Sequence, residues 1–201
     1  MPRSIRVASE IRGSRLLSAM ASPRVQLRRI ELTEQLAPAL LLAKEYGDWA
    51  RRRAEADYGI SLDAESERGL SIDLDGLLDA RARLYLAELD AEPVGIGGLK
   101  PLSGDAGEIK RMYVRPAGRG LGIGKALLEQ LVGDARALGY QTLCLETTAF
   151  MPEAQALYRS FGFAATDPYE GREFAEVPGA AEIQTFMALD LNRGQGREPN
   201  A

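Results

Sequence analysis

The chain has 201 residues, 45% of them hydrophobic and 27% charged, which is the size and composition of one globular domain. A formal net charge of −4 argues against a dedicated nucleic-acid binder, and no apolar run approaches the length of a membrane span, so neither partner is expected. The absence of histidine excludes Ser-His-Asp triads, Cys-His pairs and His-ligated zinc, and we expect no metal.

The N-terminal segment differs from the rest of the chain in composition. Residues 1–24 carry five arginines against one acidic residue, Glu10, a bias that resembles an organellar transit peptide. Arginine is used heavily throughout the chain, however, so we interpret the segment as a disordered extension. The predicted organisation is this extension over residues 1–24, one folded domain over residues 25–191 and a loose tail over residues 192–201.

Strands and one long helix are predicted in the first half of the domain. VQLRRIEL alternates like a strand, and Thr33 is a candidate cap for the helix through LAPALLLAKEYGDWARRRAEA. Residues 57–79 are rich in acidic residues and read as a loop with a short helix. ARLYLAEL and PVGIGGLK then form a predicted hairpin around residues 90–92, and GEIKRMYV follows the turn cluster SGDAG. The apolar side of the helix is predicted to consist of Leu41, Leu42, Tyr46 and Trp49.

Two helices, separated by a buried strand, are predicted in the second half. A glycine-rich stretch opens the first helix, which ends at Gly139, and Pro152 and Gly162 bound the second helix. QTLCLET lies between them as a strand buried on both faces, with Cys144 as a small core residue in a reducing compartment. FGFAAT and EIQTFMALDL close the domain as strands. The predicted class is α+β with a largely antiparallel sheet. The helix that the glycine-rich stretch opens presents an apolar stripe of Leu127, Leu128, Leu131, Val132, Ala135 and Leu138.

The glycine-rich stretch VRPAGRGLGIGKALL has the character of a phosphate-binding loop. A Walker A loop requires Ser or Thr after its Gly-Lys pair, and here Ala126 follows. A dinucleotide fingerprint also fails, because its third glycine position holds Ile123 or Lys125. The spacing Arg-x-x-Gly-x-Gly over residues 119–124, running directly into a helix, does fit. Small residues let a pyrophosphate approach the backbone, and the helix N-terminus attracts its charge. The alternative is a glycine-rich loop that only turns a strand into a helix.

The strings EIKRMYVRP, RGLGIGKALL, LCLET and EAQALYRSFGF together resemble the GNAT N-acetyltransferase superfamily. The resemblance covers roughly residues 25–191. It implies a mostly antiparallel central sheet of six to seven strands, with helices on both faces, that splays at the cofactor site. It also implies acetyl-CoA as the donor substrate and an amine as the acceptor.

The resemblance implies a donor site on both sides of the glycine loop. The backbones of Met112, Tyr113 and Val114 are expected to pair with the pantetheine amides as a substitute strand. Arg115 and Arg159 are further candidates for contacts with the CoA phosphates. The loop itself is expected to hold the pyrophosphate through Arg119, Gly120, Leu121, Gly122, Ile123, Gly124 and Lys125.

The resemblance also implies the catalytic groups. Glu108 occupies the position of the family's general base, with Glu146 as the reserve candidate; the alternative for Glu108 is a solvated carboxylate at a strand end. Tyr158 matches the tyrosine that protonates the CoA thiolate, and its alternative is a core aromatic. Met151 stands where members often carry an asparagine that contacts the cofactor. That contact is either missing or supplied by a neighbour such as Thr147 or Gln155.

The predicted function is transfer of an acetyl group from acetyl-CoA to an amine of a small molecule or peptide, by direct attack in a ternary complex. The alternatives are an acyl-CoA-binding sensor without turnover and a nucleotide-binding domain, which the failed motifs weaken. Residues 45–79 hold ten acidic residues and four arginines. This charge would attract a cationic acceptor, and the alternative is a solvated surface with no such role. A cytoplasmic location and a possible homodimer complete the expectations.

Overall fold

A seven-stranded sheet forms the centre of the molecule in the computed structural model, which describes residues 24–61, 75–170 and 179–192. The strand order is β1-β2-β3-β4-β5-β7-β6, and every neighbouring pair is antiparallel except β4 and β5. The predicted α+β class with a mostly antiparallel sheet is therefore confirmed. The strands are β1 (Val25–Ile30), β2 (Arg83–Leu89), β3 (Glu92–Ser103), β4 (Ala106–Val114), β5 (Thr142–Thr148), β6 (Ala164–Ala165) and β7 (Gln184–Asp190), and the helices are α1 (Ala37–Tyr58), α2 (Ile123–Ala137), α3 (Pro152–Ser160) and α4 (Ala180–Ile183).

Several predicted turns have the backbone geometry that their residues favour. Asp90 and Ala91 form a two-residue hairpin turn between β2 and β3, both with positive φ, as a tight turn that matches the strand twist requires. Gly139 and Gly162 follow α2 and α3 with φ of +80° and +92°. A residue without Cβ adopts this left-handed conformation at low cost, so each helix ends there.

The two long helices lie on opposite faces of the sheet. Alternate residues of a strand point to opposite sides. Leu84 and Leu86 pack in one cluster with Leu42 of α1, whereas Tyr85 and Ala87 pack in another with the predicted stripe of α2. Helices on both faces are therefore confirmed. The stripe of α2 is buried as predicted, except that Leu138 is only half-buried.

The predictions for α1 were wrong in two details. Thr33 does not cap it, because Thr33–Gln35 forms a separate 3-10 turn and α1 starts after Leu36 with a proline in its first turn. Leu41 is 61% exposed instead of buried. The buried stripe runs through small residues with Leu42, and such residues let the helix lie close to the sheet. They are Ala39, Ala43, Gly47, Ala50 and Ala54.

The end of the domain also differs from the prediction. Within FGFAAT the strand covers Ala164 and Ala165, and Thr166 adds one backbone hydrogen bond to Phe186 of β7. Ile183 belongs to the short helix α4 instead of the last strand. The predicted extension lies outside the described residues up to residue 23, and the tail does so from residue 193. Residues 62–74, in the middle of the predicted acidic loop, also lie outside them.

β4 and β5 separate where the site forms. They pair only from Ala106 to Ile109 on β4 and from Thr142 to Leu145 on β5. Beyond that point β4 carries a bulge, where Lys110 pairs with Gly98 but Tyr113 pairs with Ile96. Arg111 within the bulge has a φ of +57°, which is uncommon for a residue with a Cβ. The predicted splay of the sheet is confirmed.

Candidate active site in the cleft between the splayed strands

A cleft of about 570 Å³ opens where β4 leaves β5. The C-terminal end of β4 forms its floor, the glycine loop and the first turn of α2 form one wall, and α3 forms another. Side chains from α1 cover it. The lining residues are Tyr46, Trp49, Met112, Tyr113, Val114, Gly118, Arg119, Gly120, Gly122, Ile123, Gly124, Lys125, Phe150, Met151, Glu153, Ala154, Leu157 and Tyr158.

The glycine loop presents open backbone to the cleft. Gly120 and Gly122 both have a φ of +77°, and a Cβ built on either would meet no atom within 4 Å. Gly122 immediately precedes α2, whose first N–H groups have no partner within the helix. A Cβ on Gly124 would point between Leu157 and Val114, which both line the cleft. Open backbone beside a helix N-terminus fits a pyrophosphate.

The end of β4 offers a strand edge to the same cleft. Tyr113 and Val114 pair with β3 on one side, while the pairing with β5 on the other side stops at Ile109. Arg119 donates from Nε to the backbone oxygen of Val114 at 3.2 Å, which ties the loop to the strand. An extended chain carrying amides, such as pantetheine, fits an edge of this kind.

Nearly all predicted donor-site residues meet in this cleft. Met112, Tyr113 and Val114 line it, as do the predicted loop residues except Leu121, which is 44% exposed and does not line the cleft. Arg115, a further candidate for a phosphate contact, does not line the cleft. Its guanidinium donates from Nε to Glu45 at 2.8 Å and also to the backbone of Pro93. This hydrogen bond raises the pKa of Arg115 and lowers the pKa of Glu45.

Tyr158 lies in the cleft wall. Tyr158 is 6% exposed, and the centre of its ring lies 5.9 Å from the centre of the Phe163 ring in the main core cluster. The pKa of Tyr158 is raised well above the ordinary tyrosine value, mainly by burial and to a smaller extent by the nearby Tyr46. The hydroxyl therefore keeps its proton at neutral pH. A protonated phenol at the cleft can donate a hydrogen bond to an anion formed beside it and can serve as its proton source.

Glu108 does not line the cleft. It is fully buried and faces the same side of the sheet as its strand partners Lys100 and Cys144. Its Oε1 accepts a hydrogen bond from the Tyr169 hydroxyl at 2.8 Å and lies 3.0 Å from the Nζ of Lys110. Its Oε2 lies 3.8 Å from Lys100 Nζ and has no hydrogen-bond partner among the described residues.

The reserve candidate Glu146 lies two residues beyond Cys144 on β5 and points to the same face of the sheet. It is half-buried, and its Oε1 accepts a hydrogen bond from Gln184 Nε2 at 2.7 Å. It does not line the cleft either. Both carboxylates thus belong to a row of polar groups beside the cleft.

Sequence reasoning missed the aromatic side chains that cover the cleft. Tyr46 and Trp49 were assigned to the core side of the first helix, and Phe150 was not singled out. The ring of Tyr46 lies 5.7 Å from that of Tyr113, and Trp49 meets Phe150 edge to face at 5.9 Å. The spacing of three residues between Tyr46 and Trp49 on one helix was visible in the sequence. It indicated a shared face, but not that this face borders a cleft.

The splayed sheet, the glycine loop and the buried phenol together form a site of the kind that holds a phosphate-bearing chain between two strands. The model of the Acetyltransferase (GNAT) family matches residues 42–163. The chain belongs to the GNAT family, whose members use acyl-CoA, and it is an N-acetyltransferase.

Two relatives and two solved structures illustrate the similarity. The chain is 34% identical to the Escherichia coli protein described as uncharacterized N-acetyltransferase YjgM, over 70% of this chain and 83% of that protein. It is 39% identical to the IAA acetyltransferase of Azospirillum brasilense over 49% of this chain and 65% of that protein. A GNAT-family acetyltransferase of Staphylococcus aureus shares the fold with a TM-score of 0.61 at 20% identity, covering 83% of this chain and 99% of that one. The IAA acetyltransferase of Bacillus cereus does so with a TM-score of 0.56 at 22% identity, covering 83% and 99%.

Within residues 24–61, 75–170 and 179–192, no three His, Cys, Asp or Glu side chains are grouped to hold a metal ion. In the same part of the chain, no helix is both long and apolar enough to cross a membrane.

Proposed function

We propose that the protein transfers the acetyl group of acetyl-CoA to an amine of a small molecule or peptide, by direct attack in a ternary complex. One observation carries the proposal. The open glycine backbone at the start of α2, the edge of β4 beyond its pairing with β5 and the buried phenol of Tyr158 border one continuous cleft. These three features match the pyrophosphate, the pantetheine arm and the sulfur of one donor molecule.

The donor would lie along the cleft with its phosphates at the glycine loop. The N–H groups of the first turn of α2 and the nearby Lys125 supply positive charge there. The backbones of Met112, Tyr113 and Val114 take the pantetheine amides. Tyr158, on α3, then lies near the sulfur, because α3 forms the wall that faces this strand.

The chemistry needs one base and one acid. The acceptor amine gives a proton to Glu108, directly or through water, and its nitrogen attacks the thioester carbonyl carbon. A C–N bond forms, the C–S bond breaks, and the sulfur takes a proton from Tyr158. Both groups then exchange protons with solvent. Among the described residues no donor makes a hydrogen bond to Oε2 of Glu108, and this supports its role, since a buried carboxylate oxygen without such a bond can accept one from a water that relays the proton. Glu146 is the reserve base.

A small-molecule acceptor is favoured by the relatives. Two of the comparison proteins bear the name IAA acetyltransferase. The predicted preference for a cation has less support among the described residues. Glu45 is paired with Arg115, and Asp48 with Lys44 and Arg51, so these two carboxylates are already neutralised.

The test combines binding with turnover. Calorimetry with acetyl-CoA, ATP and NAD should give binding of acetyl-CoA alone. A panel of amines, antibiotics and peptide N-termini, scored for release of free CoA, should then give acceptor-dependent turnover. Binding without turnover across the panel would favour the sensor alternative, and no binding of acetyl-CoA would overturn the proposal.

A further inference from the structure

The residue that fills the family's asparagine position raises a question about the donor site. Met151 lines the cleft and is 9% exposed. Its Sδ stands at the same distance along the side chain as the amide atoms of an asparagine, but sulfur is only a weak acceptor and donates nothing. Met151 therefore offers the cleft no strong hydrogen-bonding group.

The two neighbours predicted to replace it are engaged elsewhere. The Gln155 amide donates from Nε2 to the backbone oxygen of Thr148 at 2.9 Å, and its Oε1 accepts from Arg159 at 2.8 Å. The Thr147 hydroxyl is buried and donates to Met151 Sδ at 3.9 Å. Neither lines the cleft.

Helix α1 brings a different hydroxyl to this position. Tyr46 lines the cleft, and its hydroxyl lies 3.9 Å from Met151 Sδ, next to the place an asparagine amide would occupy. Tyr46 is also near enough to Tyr158 to help raise the pKa of that phenol. The ring of Tyr46 is held between Tyr113 and Trp49, at 5.7 and 6.3 Å. The hydroxyl is therefore carried on a ring held by its neighbours, and one of its contacts, the Met151 sulfur, is a weak acceptor.

We infer that Tyr46 is a donor-binding residue that takes over the contact of the absent asparagine. Its hydroxyl leaves the Met151 sulfur and donates to an amide carbonyl oxygen of the pantetheine arm. This inference rests on the proposed function, since it presupposes that acetyl-CoA binds in the cleft. It also gives α1 a part in holding the donor.

The test is removal of the hydroxyl, followed by restoration of the amide. Tyr46→Phe keeps the ring and should raise the Kd for acetyl-CoA about 3- to 10-fold, the effect of losing one neutral hydrogen bond. Adding Met151→Asn in the Tyr46→Phe background should restore most of the affinity. Tyr58→Phe, on the same helix but outside the lining of the cleft, is the matched control and should bind as the wild type does.

Calorimetry measures each Kd, and thermal unfolding verifies that each variant is folded. A Tyr46→Phe protein with the wild-type Kd would overturn the inference, as would a double variant no tighter than Tyr46→Phe. Failure of the wild-type protein to bind acetyl-CoA would instead overturn the proposed function, so the two failures are distinguishable.

Discussion

The substitution Gly124→Ala should change the affinity of the donor site without lowering the stability of the fold. Gly124 is the second residue of α2 and has an ordinary helical backbone, so alanine fits it without strain. The new Cβ would lie 3.5 Å from Leu157 and 3.9 Å from Val114, which are normal contact distances. Gly122 is less informative, because its φ of +77° would strain any side chain placed there.

Gly124→Ala should leave the fold at least as stable as the wild type and at the same time weaken the binding of acetyl-CoA. Alanine is favoured over glycine in a helix by up to about 1 kcal/mol, so the free energy of unfolding should stay equal or rise. The methyl group would occupy the space where a phosphate approaches the helix N-terminus. Losing one charge-assisted hydrogen bond there costs about 1.5 to 3 kcal/mol, so the Kd for acetyl-CoA should rise at least about tenfold.

Gly133→Ala is the control on the same helix. Gly133 is exposed, and a Cβ there would meet nothing within 4 Å. It should stabilise the protein by about 0.5 to 1 kcal/mol and leave the Kd unchanged. Calorimetry and urea unfolding measure the two quantities. If Gly124→Ala binds acetyl-CoA as tightly as Gly133→Ala does, the phosphates bind elsewhere.

Three further outcomes are expected. Glu108→Gln should lower turnover at neutral pH about 10²-fold with little change in acetyl-CoA affinity; if activity survives and Glu146→Gln abolishes it, the two roles are exchanged. Tyr158→Phe should lower turnover about 10²-fold when chemistry limits the rate, and a wild-type rate would make it only a core residue. Burial, then a hydrogen bond to Asp134, raises the pKa of Tyr85 to about 12. An unfolded tyrosine loses its proton near pH 10, so the free energy of unfolding should fall as pH rises from about 10 to 12. Urea unfolding of Tyr85→Phe should show a smaller fall, and an equal fall would contradict this origin.

Short stretches of the sequence were enough to predict the tight turns and the ends of helices. The hairpin turn at Asp90 and the helix ends at Gly139 and Gly162 follow from backbone preferences that a few residues specify. The glycine stretch precedes the N-terminus of α2 as predicted, for the same reason. Thr33 misled because a threonine also suits a 3-10 turn, and only the packing of the chain against the sheet decides where the α-helix starts.

Features that depend on long-range packing were not predictable in this way. Leu41 is apolar and has the right spacing, yet the sheet lies against the alanine side of α1. Tyr46 and Trp49 were assigned to the helix's apolar side correctly, but the sequence does not show that this side overlies a gap between strands. The burial of Glu108 with Lys110 and Tyr169 likewise depends on residues far apart in the chain.

The short pairing between β4 and β5 divides the sheet into two mechanical parts. Only four residue pairs, from Ala106–Thr142 to Ile109–Leu145, join the meander of β1 to β4 to the group of β5, β7 and β6. A molecule seated in the cleft would contact β4 and, at Phe150 and Met151, the segment that directly follows β5, and it would thereby couple the fluctuations of the two parts. Amide hydrogens of β7, remote from the glycine loop, should therefore exchange more slowly with solvent when the gap is filled. The substrate would act as a temporary eighth strand, and the ordered sheet would be complete only during the catalytic cycle.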